Sequence, residues 1–217
     1  MKHSTLLASL FGLLLVGCDQ KRGTRTTAAA VQQAPRPLAD KEQIQHLIRQ
    51  VLRWGDSLQV GLLPGVVDTT KGVVSSLNLS KHQQDLAELR ASGLFAAGFI
   101  DNYNRVILTL DKRLRSGKQH WLAGDPPDFG FYRGANAWCN CQDVPYDKPN
   151  PWDFVEIKLL NKSANTAEAT WHWGKLPAES GPDWKNFSYK FSVVKENGKW
   201  KIAYLEGFDS TEALKPT

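Results

Sequence analysis

The tightest constraint on this chain lies near its carboxyl end. Phe187, Tyr189, Phe191 and Val193 alternate with Ser188, Lys190 and Ser192; Glu196-Asn197-Gly198 follows; then Trp200, Ile202 and Tyr204 alternate with Lys201 and Ala203. Alternation with period two sends one set of side chains to a core and the other to water. Asn-Gly suits a type I′ turn, whose two central residues both need φ > 0. The pattern predicts a hairpin from Phe187 to Tyr204. Two more strands precede it. Thr166 to Trp173 sets Ala167, Ala169, Trp171 and Trp173 against Thr166, Glu168, Thr170 and His172. Trp152 to Leu160 carries Val155, Ile157 and Leu159 on one face.

Helical spacing dominates the first half. Asp40 reads as an N-cap with Gln43 three residues on, and Ile44, Leu47, Ile48, Val51 and Leu52 form an apolar face that Gly55 closes. Ser57 to Leu79 is broken by Pro64-Gly65 and Lys71-Gly72 and reads as a loop with short extended pieces. Ser80, with Gln83 in the capping-box position, opens a second helix that Gly93 ends. Phe95, Phe99, Tyr103, Val106, Leu110 and Leu114 stripe a third, with Gly117 just beyond it. That stripe needs an apolar partner, and the C-terminal sheet supplies one. Asp125 to Gly130 is turn chemistry, and Ala137 to Asp143 reads as extended. The fold class expected is α+β, N-terminal helices on a curved antiparallel sheet.

The amino terminus bears on location. Lys2 precedes an apolar run from Leu6 to Val16, too short to span a bilayer, that ends in Leu15-Val16-Gly17-Cys18. This resembles the lipobox of bacterial lipoproteins; the alternative is an ordinary secretory signal peptide. The resemblance implies that residues 1–17 are cut away and that Cys18 carries fatty-acyl chains such as palmitate. Two or more chains anchor stably, at about 0.8 kcal/mol per buried methylene. The implied site is the bacterial cell envelope, facing the periplasm or the outside, with inner or outer membrane left open by Asp19. The segment from 18 to 39, rich in Thr, Ala, Gln and Pro, has no apolar period and reads as a tether reaching roughly 25 Å. One domain is expected over 40–209, followed by a tail over 210–217.

The formal charge is +5, and loss of Lys2 leaves +4. The densest basic cluster is Lys112, Arg113, Arg115 and Lys118, at a helix end where cations favour the negative pole. No groove-reading motif accompanies it, so no nucleic-acid partner is expected. With Cys18 lipidated, Cys139 and Cys141 remain as an even pair in an oxidising compartment. On a strand, positions i and i+2 share a face, so a disulfide is open to them. The bridge would close so short a loop that chain entropy contributes under about 2 kcal/mol. Redox and metal roles stand beside the structural one, the latter needing further ligands.

Asn136 to Asp143, with Trp138, Gln142 and Asp143, looks like the sheet-entry segment of a family of uncharacterised bacterial lipoproteins with a nuclear transport factor 2-like, or cystatin-like, domain. Lys195 to Ile202 resembles the family's terminal hairpin. The resemblance implies a cone-shaped sheet and a pocket, for which Trp138, Gln142, Asp143, Thr170 and His172 are the candidates. It is silent on activity, because that scaffold hosts many functions. Enzymes with such cones place a His and an Asp inside. His172 would then be a general base oriented by Asp143 or Asp125, in a small hydro-lyase or isomerase. Asp143, Asp147 and Asp153 lack calcium-loop spacing, and no phosphate loop, nucleophile elbow or His-Glu-x-x-His is present. No metal and no cofactor is implied. The leading expectation is a membrane-anchored, non-enzymatic module binding a small ligand or an envelope protein; an immunity or inhibitor protein against a cell-wall-acting toxin is the third reading.

Overall fold

Asn197 and Gly198 both have positive φ, 52° and 76°, and turn strand β5 (Tyr189–Glu196) into β6 (Lys199–Leu205). In the computed structural model, which describes residues 38–58, 63–131, 135–145 and 150–215, this hairpin is half of a four-stranded antiparallel meander. The other half is β3 (Val155–Lys162) and β4 (Thr166–Trp173), and the spatial order is β3-β4-β5-β6. The expected leader, Cys18, the tether up to residue 37 and Asp147 lie outside the described residues.

The helical half runs α1 (Asp40–Leu58), a small hairpin of β1 (Gly65–Asp68) and β2 (Val73–Leu77), α2 (Leu79–Ser92) and α3 (Ala97–Arg115). The α3 stripe of Phe99, Tyr103, Val106, Leu110 and Leu114 is buried, as is the α1 face from Ile44 to Leu52. Both pack on the sheet side that carries Ala169, Trp171, Tyr189, Phe191 and Ile202. The chain is thus α+β, and its antiparallel sheets are not closed into a barrel. No helix among the described residues is long and apolar enough to cross a membrane.

Each sheet edge is covered over part of its length. An uncovered edge presents unpaired N–H and C=O groups to any passing strand. On β3 the Gln45 carboxamide stands in for a strand residue: it donates to Val155 O at 2.6 Å and accepts from Ile157 N at 3.0 Å, and Arg49 Nε adds a bond to Val155 O. On β6, Ile202 donates to Leu94 O at 2.9 Å and accepts from Ala96 N at 2.8 Å. Phe95 therefore lies in a one-residue parallel bridge before α3, not within the helix as its spacing predicts.

Several local expectations are corrected. Asp40 is the first residue of α1 and does not cap it; its carboxylate turns to the sheet, taking Trp200 Nε1 at 3.0 Å, Lys195 at 2.9 Å and Lys162 at 2.8 Å. Two ammonium groups and an indole N–H outbid the helix's own amides for that charge. Gly55 does not close α1. It is buried in the last turn, three residues before the helix ends, and the Trp138 ring lies so close that a Cβ there would stand 2.5 Å from it. Asn78, not Ser80, caps α2, accepting from Lys81 N at 3.0 Å. Trp152 sits in a 3-10 turn (Pro151–Phe154) ahead of β3. Residues 210–213 pack on the domain: Asp209 caps a short helix (Ser210–Ala213), and Ala213 is buried, its carbonyl bonded to Gly130 N.

Candidate functional site

The space between the helices and the sheet, where a cone would hold a ligand, is filled with aromatic rings. Trp138 lies with its ring centroid 4.4 Å from Phe208, 5.4 Å from Trp54 and 5.7 Å from Phe95. A second group stacks Trp152 on Trp173 and sets Trp171 against Trp173, Phe187 and Tyr189. Tyr189 ties the two halves together. Its hydroxyl donates to Ala137 O at 2.8 Å and accepts from Gly207 N at 2.9 Å, and burial pushes its pKa up.

The segment carrying Trp138 is not extended, contrary to the expectation for 137–143. It is a tight turn closed by a bridge between Asn136 and Cys141. The Asn136 carbonyl accepts from Asn140 N at 2.6 Å, its side chain accepts from Trp138 N at 2.9 Å, and Asn140 adopts φ 50°. Cys139 and Cys141 are disulfide-bonded with Cα atoms 5.1 Å apart. The turn, rather than a shared strand face, brings the sulfurs together. Gln142 and Asp143 are exposed beyond it, and Asp143 accepts from Val144 N.

The other candidates are dispersed. Asp125 is exposed in the loop whose carbonyl receives Trp121 Nε1. His172 and Thr170 do share a face, but it is the one turned away from the helices. His172 stands across from Glu156 with Nε2 3.7 Å from the carboxylate, both side chains about half exposed (42% and 51%). At that exposure the pair contributes little. His172 has neither Asp143 nor Asp125 as a hydrogen-bond partner. Among the described residues no three His, Cys, Asp or Glu groups are placed to hold a metal ion.

That outer face is the hollow part of the sheet. Its rows run Lys158–Thr170–Lys190, Glu168–Ser192–Tyr204 and Thr166–Val194–Lys201 across neighbouring strands. An open trough of about 750 Å³ crosses it from Asn161 on β3 to Ala203 on β6, with Thr166, Glu168, Ser192 and Val194 on the way, and reaches Ala96 and Gly98 at the start of α3. Two of its charges are matched, Lys162 by Asp40 and Glu196 by Lys201 at 3.3 Å, while Glu168 accepts from Asn161 Nδ2 at 2.9 Å and is in no ion pair among the described residues. A smaller hollow of about 180 Å³ lies beyond, between Phe99, Asn102, Tyr204 and Asp209. There Tyr204 donates to Asp209 at 3.0 Å, and burial and that carboxylate push the phenol's pKa up to about 12. Burial raises the Asp209 pKa, but hydrogen bonds from Glu212 N, Thr211 N and the Tyr204 hydroxyl outweigh it and hold the carboxyl below its usual value. Tyr204, Asp209 and Thr211 are engaged with one another and Arg105 holds Asn102 and Ser210, but the buried hydroxyl of Tyr103, which also lines this hollow, has no hydrogen-bond partner. Strand alternation marked Thr166, Glu168 and Ser192 as outward-facing; nothing in the sequence showed that their rows line one trough.

No family model, curated protein or solved structure matches the chain.

Proposed function

We propose that the protein is a lipid-anchored envelope lipoprotein whose domain is a filled version of the nuclear transport factor 2-like, or cystatin-like, cone. In this reading the domain works through its surface, as a non-enzymatic module for an envelope protein partner. Convergence of Lys162 (β3), Lys195 (β5) and Trp200 (β6) on the Asp40 carboxylate supports the cone, since the outer strands of a flat four-stranded sheet stand roughly 14 Å apart. The observation that carries the surface reading is the contrast between an interior occupied by Trp138 and its neighbours and the open trough behind the sheet. With Lys162 and Glu196 paired and Glu168 left without a cation, the trough suits a polar segment of a partner that brings a donor to that carboxylate. The anchor rests on Leu15-Val16-Gly17-Cys18. The hydro-lyase reading finds no support in a His172 held beside Glu156 on the outer face. The inhibitor reading is one form of the module proposed.

Two arms of one labelling experiment test this. Cells fed radioactive palmitate should label the wild-type chain and not Cys18→Ser; label on the variant overturns the anchor. A photo-crosslinking residue at Ser192, in the trough, should give a discrete adduct, whereas one at exposed Leu108 on α3 should not. Equal adducts from both positions, or none from Ser192, overturn the surface reading.

A further inference from the structure

The basic cluster at the end of α3 has a bland explanation, neutralisation of the helix's negative pole. The hydrogen bonds argue against it. The last carbonyls are taken by the chain that follows: Lys112 O by Ser116 N, Leu114 O by Gly117 N, and Arg113 O by both Lys118 N and Gln119 N. Lys112, Arg113 and Lys118 are in no ion pair among the described residues, and Lys112 and Lys118 are exposed.

Beside them stands a strip with the opposite peculiarity. β2 pairs on one side with β1 and on the other with the Trp121–Ala123 segment, through Val74 N to Trp121 O at 2.8 Å and Ala123 N to Gly72 O at 3.0 Å. Three apolar side chains of this strip are in water: Leu122 is 59% exposed, Val67 47% and Val66 42%. Between strip and helix end lies a hollow of about 290 Å³, whose wall includes Lys71, Arg115 and His120. Five cations (Lys71, Lys112, Arg113, Arg115, Lys118) stand against three carboxylates, Asp68, Asp111 and the exposed Asp125, whose amide bonds back to Leu122 O. Asp111 is further occupied by Leu77 N.

We infer that this pole is a docking surface for an anionic lipid bilayer, the cations meeting headgroup phosphates and Leu122 entering the interfacial layer with Val66, which shares its face through the Asp68–Val73–Leu122 row, while Val67 points to the opposite face. A purely ionic partner would leave Leu122 and Val66 without a role; a purely apolar one would strand the cations. The placement has a further consequence. Asp40, where the expected tether ends, meets Lys195, and the adjoining Glu196 meets Ala97 N at the start of α3. The basic pole stands at the other end of that 19-residue helix, roughly 28 Å away. The domain therefore presents to a bilayer the pole far from its own attachment point, so the two contacts are separate.

The test uses the leaderless chain from residue 18 with Cys18→Ser, which carries no acyl group, so its outcome is independent of the anchor. Vesicles of phosphatidylcholine with one third phosphatidylglycerol should sediment the protein, and pure phosphatidylcholine should not. The triple variant Lys112→Glu, Arg113→Glu, Lys118→Glu should weaken binding about a hundredfold, and Leu122→Ser should weaken it several-fold with the circular dichroism spectrum unchanged. Binding that ignores lipid charge, or survives both variants, overturns the inference. So does displacement by millimolar glycerol phosphate, which would identify a soluble phosphate site, or equal binding to a soluble polyanion such as heparin, which would identify a polymer partner.

Discussion

The two faces of the β3–β6 sheet are made by the same strands with the same alternation, yet they have different freedom. On the inner face each side chain is set by contacts: Trp171 is fully buried, Tyr189 bridges Ala137 and Gly207, and a Cβ on Gly207 would lie 2.0 Å from the Ala137 carbonyl oxygen. On the outer face Lys158, Thr170, Lys190 and Ser192 meet mainly water and each other. Close packing makes the first face intolerant of any change in volume, while the second is left to recognition. The difference teaches where to look for function when the space between sheet and helices is filled.

The comparison breaks most sharply at Trp138. Trp138→Ala should cost about 3–5 kcal/mol in urea unfolding, since it empties the space between Trp54, Phe95 and Phe208. A loss under about 1 kcal/mol would mean the ring is not the interior's keystone. Gln45→Ala comes next. It strips the cover from Val155 O and Ile157 N on the β3 edge and should cost about 1–3 kcal/mol, with faster amide exchange at Ile157. Unchanged exchange there would show that water replaces the carboxamide at no penalty.

Asp40 sharpens the contrast through pH. Hydrogen bonds from Lys162, Lys195 and Trp200 hold its carboxyl well below the usual carboxylate range. A pKa depressed by folding stabilises fully above the unfolded value, near ~4, and the contribution fades as pH falls toward the folded one. Asp40→Asn should therefore lower the urea midpoint at neutral pH, and the gap from wild type should narrow in acid below about pH 4. A gap independent of pH would assign the loss to geometry instead. The smallest effect belongs to the outer face: Thr170→Ala should change stability by no more than about 0.5 kcal/mol. A larger loss would mean that face is also part of the core.

Much of the fold was legible in local pattern. β4 and the β5–β6 turn stand where alternation and Asn-Gly put them, and Gly93 ends α2 at φ 67°. The candidate site was not. Trp138, Gln142 and Asp143 were read as one wall of a pocket with Thr170 and His172, but Trp138 points into the core, Gln142 and Asp143 lie exposed beyond the disulfide turn, and the other two are on the far side of the sheet. Alternation tells which residues of one strand share a face. It does not tell whether a segment is a strand at all, and Asn136 hydrogen-bonds its own successors into a turn.

By itself the sequence determined the periodic elements, the turn of the last hairpin and the residues able to fill a core. These depend on steric and solvation preferences of neighbours within a few positions. Alternation put Tyr204 on the face of Trp200 and Ile202, but a bulge between the Ser192–Tyr204 and Val193–Ile202 pairs turns Tyr204 outward and seats Leu205 in the core. Tertiary structure alone decided that Asp40 serves three strands instead of its own helix, that Gly55 sits inside the last turn of α1 to admit Trp138, and that the basic end of α3 stands beside an apolar strip from another hairpin. Each of these joins residues far apart in the chain, where proximity follows from the packing of whole elements and leaves no local trace in the order of amino acids.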